Sequence, residues 1–127
     1  MHVNSFKDLD VYKLSRQVSL QIFETSRQFP KEEMYSLIDQ IRRSSRSVGA
    51  QIAEAWAKRQ YKKHFISKII PKIGTDGEQQ ETQHWIETAM DCGYITSESG
   101  NKWLKSYNLI GRMLNSMITK ADSFCSK

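Results

Sequence analysis

Apolar residues recur along the chain at three- and four-residue steps, the spacing that lines up one face of an α-helix. Four such runs can be followed. Val11, Leu14, Val18, Ile22, Thr25 and Phe29 predict a first helix over 8–28, ended by Pro30, because the residue before a proline is pushed out of the α region. Met34, Leu37, Ile41, Ser45, Val48, Ile52 and Ala55, with Ile38 at the edge, predict a second helix over 32–60. Glu32 and Glu33 then sit in its first turn, where the helix dipole favours negative charge.

The third run starts near Tyr61 with Phe65, Ile66, Ile69 and Ile70, and resumes as Thr82, Trp85, Ile86, Ala89 and Met90. Between the two parts, "IPKIGTDGE" brings Pro71, Gly74 and Gly77 close together. That predicts a kink or break near Pro71, with Gly74-Thr75-Asp76-Gly77 as a turn. Gly93 suits a C-cap, and Thr96 or Ser97 an N-cap for a fourth helix. Its stripe is Trp103, Tyr107, Ile110, Leu114, Met117, Ala121 and Phe124. Few segments alternate with the period of a strand. Four long helices with short connections predict an all-α fold, an antiparallel up-down-up-down four-helix bundle forming one domain over 1–127.

Charge adds a second pattern. The net charge is +5 and the isoelectric point about 9.3. Residues 1–74 carry 14 Lys/Arg against 7 Asp/Glu, a net +7, while residues 75–127 carry 5 against 7, a net −2. From Arg42 to Lys72 there are nine basic residues and one acid, Glu54. Such a local excess favours anionic partners without choosing among nucleic acid, acidic protein and membrane surface. No apolar run reaches the roughly 18 residues of a membrane helix, and "MHVNSFKDLD" has no apolar leader core, which predicts a cytoplasmic protein. Cys92 and Cys125 have no partners at metal-ligand spacing and read as reduced thiols packed as small hydrophobes.

Projected at about 100° per residue, the second helix has two faces of interest. Ile41, Ser45, Val48, Ile52, Ala55 and Trp56 form the core side. A strip of small residues, Gly49, Ala50, Ala53 and Ala57, lies to one side, with Arg42, Arg43 and Arg46 near its N-terminal end; Ser44, Ser47, Gln51, Glu54 and Lys58 make the polar remainder. The small strip fits tight packing within the bundle, the helix propensity of alanine, or a subunit interface. The basic residues fit a solvated face or a phosphate-binding one. Helical ion pairs at four-residue spacing are few, Asp39 with Arg43 and Glu54 with Lys58, so much of the positive charge lacks a local partner. Arginine suits bidentate phosphate contacts, and Tyr61 and His64 suit stacking on bases.

In order, "FKDLDVYKLS", "FP", "QIRRSSRSVGAQIAEAW", "KKHFISK" and "ETQHWIETAMDCGYI" resemble the four-helix bundle family of the 23S rRNA intervening-sequence proteins, whose fold family also includes accessory variability proteins of diversity-generating retroelements. The likeness covers nearly the whole chain, is strongest from Gln40 to Glu54 and is weakest after about Ser99. Matching positions are Gln40, Arg42 and Arg43, then Ile52, Ala53 and Glu54, then Glu81, Thr82 and Gln83. The resemblance implies an antiparallel bundle, assembly into homopentamers, a basic surface for nucleic acid and, for the accessory proteins, a reverse transcriptase as partner. It implies no catalytic activity. The added "IPKIG" departs from the family pattern.

Enzymatic constellations are thin. Glu81 and His84 form E-x-x-H, but a di-iron bundle needs a second such pair and carboxylates from two more helices. Ser44, Ser45 and Ser47 have no His at helical spacing to activate them and read as small packing residues. Gly74-Thr75-Asp76-Gly77 lacks the spacing of a phosphate-binding loop. Trp56, Trp85, Trp103, Met113 and Met117 read as core. No metal or cofactor is expected. The chain reads as a non-enzymatic, oligomeric nucleic-acid binder with Arg42, Arg43, Arg46, Lys58, Arg59, Lys62 and Lys63 on phosphates, and Gly49, Ala50, Ala53 and Ala57 at a subunit interface. The alternative is a protein-interaction scaffold whose basic second helix contacts a subunit or partner.

Overall fold

The structure is a computed structural model and describes residues 3–70 and 74–125. The described residues form six α-helices: α1 Asp10–Ser26, α2 Leu37–Ala57, α3 Lys62–Ile69, α4 Thr75–Asp91, α5 Ser97–Thr119 and the short α6 Ala121–Phe124. Among the described residues there is no strand. Helix α2 packs against α1 and α4, α5 also contacts both α1 and α4, and α3 leans on α2. The core is what the periodicity predicts: Val11, Val18, Ile22 and Phe29 from the first run, Ile41, Val48, Ile52 and Ala55 from the second, and Trp103, Tyr107, Ile110, Leu114 and Met117 from the last are all buried. Burying each large apolar side chain contributes about 1.5–3 kcal/mol. Among the described residues no helix is long and apolar enough to cross a membrane.

Several boundaries differ from the sequence reading. Helix α2 starts at Leu37 rather than near Glu32, because Lys31–Glu33 form a separate 3-10 turn and Ser36 leaves helical geometry at φ −124°, ψ −98°. The Glu33 carboxylate holds this corner: it accepts from Ser36 Oγ at 2.6 Å and from Tyr94 Oη at 2.8 Å. Met34, placed on the core stripe by spacing, is therefore 47% exposed. The predicted kink falls on residues 71–73, outside the described residues. Before them, Ile70 is extended at ψ 158°, as a residue preceding proline should be. After them, Gly74 is the N-cap and Thr75–Gly77 the first turn of α4, so the predicted turn there is helix. Thr75 Oγ1 donates to the Lys68 carbonyl at 3.1 Å, tying the two segments together.

Gly93 follows the α4 C-cap with φ +76°. Tyr94 N–H donates to the Ala89 carbonyl and Gly93 N–H to that of Met90, the paired bonds of a Schellman ending. Cys92, at the C-cap, is exposed rather than packed as a small hydrophobe, and Cys125 is half-buried; both are free thiols. Thr96 caps α5 through its side chain, accepting from Ser99 N–H at 3.0 Å.

Candidate nucleic-acid interface

The basic residues of α2 separate into different environments. Arg42 and Arg46, four apart, point toward α1. There the Phe23 ring carries three guanidinium groups: Arg42 at 4.8 Å from its centroid, Arg46 at 5.3 Å and Arg27 at 5.7 Å. Arg42 Nε also donates to Ser26 Oγ at 2.9 Å. About two turns nearer the start of α1, Arg16 lies over Tyr12 at 6.0 Å and donates to its hydroxyl at 3.3 Å. Among the described residues Arg16, Arg42 and Arg46 make no ion pair, and Arg27 has only a long contact of 3.9 Å with Glu24. Burial of the guanidinium, reinforced by the charges of Arg46 and Arg27, lowers the proton affinity of Arg42 from its usual value. Arginine stays protonated even so, and Arg16, Arg42 and Arg46 remain without an ion-pair partner among the described residues.

Arg43 has the opposite surroundings. It points across to α4, forms ion pairs with Glu78 at 3.2 Å and with Glu81, and donates from Nε to Gln40 Oε1 at 3.2 Å. The bond to Glu81 raises the proton affinity of Arg43 against the effect of burial. At Glu81 burial acts to raise the carboxyl, but hydrogen bonds from Trp85 and Arg43 outweigh it and hold it below the usual carboxylate range. Beside this clamp Thr82 Oγ1 donates to the buried Ser44 Oγ at 2.9 Å. Arg43 therefore does not lie beside the small strip, and Ser44 belongs to the core side. The expected Asp39–Arg43 pair gives way to these long-range partners. Glu54 likewise pairs with Lys68 at 2.7 Å, with Lys58 a weaker influence.

The other candidates lie around the turn from α2 to α3, about 18 Å beyond Arg46 along the α2 axis at 1.5 Å per residue. Lys58 is the exposed C-cap of α2. Arg59 covers the Trp56 ring at 4.1 Å and donates to the Trp56 carbonyl at 2.9 Å. Lys62 pairs with Asp122 at 2.8 Å, and Lys63 is exposed. Tyr61 is 64% exposed, edge-on to His64 at 5.9 Å. His84 lies edge-on to Trp85, while its E-x-x-H companion Glu81 is taken by Arg43 and Trp85. Among the described residues no three His, Cys, Asp or Glu side chains gather as metal ligands would.

The small strip has a definite place. Gly49, Ala50 and Ala53 line a groove of about 580 Å³ between α1 and α2, together with Tyr12, Arg16, Leu20 and Phe23 of α1 and Arg46 of α2. A Cβ on Gly49 would sit 3.3 Å from Ser15 Oγ and 3.6 Å from the Tyr12 ring, so the helices come close there. Leu20 is 60% exposed, and Ala50 and Ala57 are exposed. The α1 half of this site, Arg16, Phe23 and Arg27, is absent from the sequence reading. A signal for it exists: Tyr12, Arg16, Leu20, Phe23 and Arg27 repeat at helical spacing beside the core stripe of α1.

Fold and site together define an all-α protein with a cationic, groove-bearing face on α1 and α2. Residues 7–116 match the family model described as 23S rRNA-intervening sequence protein, and the chain belongs to that family. It is also similar to a crystal structure at 1.70 Å resolution of a protein with unknown function from the S23 ribosomal protein family of Bacteroides thetaiotaomicron: 28% identity, TM-score 0.72, covering 85% of this chain and 97% of that one. No curated protein matches.

Proposed function

We propose that this protein is a non-enzymatic, cytoplasmic nucleic-acid binder, folded as an antiparallel up-down-up-down bundle, that grips phosphates through the α1–α2 face. One observation carries the function: Arg27, Arg42 and Arg46 converge on Phe23, with Arg16 over Tyr12 on the same groove, and among the described residues the one carboxylate paired with any of the four is Glu24, 3.9 Å from Arg27. Gathered like charge costs stability, and a polyanion relieves it. Guanidinium forks suit phosphate oxygens. Lys58, Arg59 and Lys63 supply further contacts to a longer ligand, whereas Lys62 is taken by Asp122. Arg43, occupied by Glu78 and Glu81, contributes to α2–α4 cohesion instead. The family's name associates its members with 23S rRNA, which makes structured RNA the first ligand to try.

Fluorescence anisotropy with labelled structured RNA and duplex DNA, at low and physiological salt, tests this. Saturable binding retained at physiological salt is expected, with a logarithmic salt slope near −0.9 per phosphate neutralised for a duplex. Binding confined to low salt and equal for both polymers would contradict it. A second reading has its own observation: exposed Ala50 and Ala57 give α2 a smooth outer strip on which a second copy of the chain could seat. Light scattering of the purified protein tests self-association directly.

A further inference from the structure

Two tyrosines stand well out into solvent, Tyr35 at 91% exposure and Tyr61 at 64%. Their surroundings differ in charge. Tyr35 follows Glu32 and Glu33, which repel phosphate. Tyr61 lies within Lys58-Arg59-Gln60-Tyr61-Lys62-Lys63-His64, a stretch with four cations and no acid. Its backbone is tied on both sides: Tyr61 N–H donates to the Lys58 carbonyl at 2.9 Å, and the Tyr61 carbonyl accepts from Phe65 N–H at 3.0 Å. Phe65 is fully buried and stacks on Phe124 at 6.0 Å, so the turn that carries Tyr61 is anchored in the core. His64, itself exposed, meets the Tyr61 ring edge-on at 5.9 Å, which covers at most one of the ring's two faces. Lys62 is taken by Asp122, but Lys58 and Lys63 are exposed and make no ion pair among the described residues.

We infer that Tyr61 is a stacking platform for an unpaired base of an RNA, with Lys58 and Lys63 on the phosphates that flank that base. This rests on the nucleic-acid reading and sharpens its ligand from RNA in general to RNA with a looped or bulged base. The arginines of the α1–α2 face meet phosphates whether or not the bases between them are paired. Tyr61 can serve only a base that has left the stack, because bases within a duplex already lie face to face with one another. Splayed bases of loops and bulges seek aromatic planes, and a cationic surface bearing an exposed ring is the form that such binding takes. Every base has a π face, so the platform tolerates any sequence at the unpaired position.

The test compares an RNA duplex carrying one central bulged uridine with the same duplex fully paired, by anisotropy at physiological salt. The two share their ends, so stacking on a terminal pair cancels. The bulged duplex is expected to bind about tenfold more tightly. Tyr61→Ala, a change at an exposed side chain whose folding is checked by circular dichroism, should abolish that preference while leaving the paired duplex within about twofold. Tyr61→Phe keeps the ring and should keep the preference. With 5-iodouridine at the bulge, photo-cross-links should fall on the peptide that contains Tyr61. Equal binding of the two duplexes, or a preference untouched by Tyr61→Ala, overturns the platform while leaving phosphate binding standing. Loss of the preference in Tyr61→Phe as well gives the effect to the hydroxyl and overturns stacking. A drop in particle mass by light scattering on Tyr61→Ala would give the ring to a second copy of the chain and overturn the inference. Failure of both duplexes to bind removes the underlying reading as well.

Discussion

Arg42 and Arg43 are neighbours in sequence and opposites in environment. Arg43 reaches α4 and is neutralised by Glu78 and Glu81, with Gln40 completing its hydrogen bonding. Arg42 reaches α1, shares the Phe23 ring with Arg46 and Arg27, and meets the hydroxyl of Ser26 but no carboxylate. Successive residues on a helix are about 100° apart, so one step along the chain takes an arginine from an internal clamp to an open cationic face. Identical side chains thus divide into one that holds helices together and one left without a carboxylate. It is the missing countercharge, rather than the number of arginines, that separates the two.

The largest expected effect comes from breaking the open side. Arg42→Glu with Arg46→Glu should weaken RNA binding by about 100-fold or more, since hydrogen bonds to charged groups contribute about 1.5–3 kcal/mol each, and should flatten the salt slope by about two. Anisotropy at several salt concentrations reads both numbers, and the melting temperature should move little. Next comes the ring that gathers the cluster. Phe23→Leu keeps an apolar body but removes the π face, at about 0.5–1 kcal/mol per exposed cation–π contact; RNA affinity should fall about three- to tenfold with the fold intact.

On the clamp side the readout reverses. Arg43→Ala should leave RNA affinity within about twofold and destabilise the protein by about 1 kcal/mol, a modest figure because the partly exposed pair is screened by solvent. Thermal denaturation followed by circular dichroism measures it. The smallest effect is with pH. Glu81 is held below its ordinary value of 4.5 when folded, so its contribution is complete above about pH 4.5 and is lost as the pH falls through the lowered value. Trp85 Nε1 donates to that carboxylate at 3.0 Å, so Trp85 fluorescence, referenced to Trp85→Phe, should change in acid below pH 4.5 and stay flat above it.

Much of the architecture is legible in the residue pattern, because a 3.6-residue period reports burial directly. The stripes of α1, α2 and α5 name most of the core, and Gly93 and Thr96 mark the turn between α4 and α5. The corner at 31–36 is not legible, since it is held by Glu33 meeting Tyr94, 61 residues and three helices further along the chain. The division of the arginines escapes for the same reason. Spacing rules see partners three and four residues away, and so suggest Asp39 for Arg43; its real partners lie 35 and 38 residues on. Gln40, Arg43, Glu81 and Thr82, motif positions in the family resemblance, prove to sit at this α2–α4 seam. The α1 side of the open face shows in the sequence only as a helical repeat of Tyr12, Arg16, Leu20, Phe23 and Arg27, and its meeting with Arg42 and Arg46 arises only once α1 folds against α2.

The most direct test sets the two neighbours against each other: the affinity of one structured RNA for Arg42→Ala and for Arg43→Ala, measured side by side at physiological salt. The expected result is a loss of about tenfold for Arg42→Ala and almost none for Arg43→Ala. Equal losses, or a larger loss at Arg43, would contradict the assignment of the ligand to the uncompensated α1–α2 face.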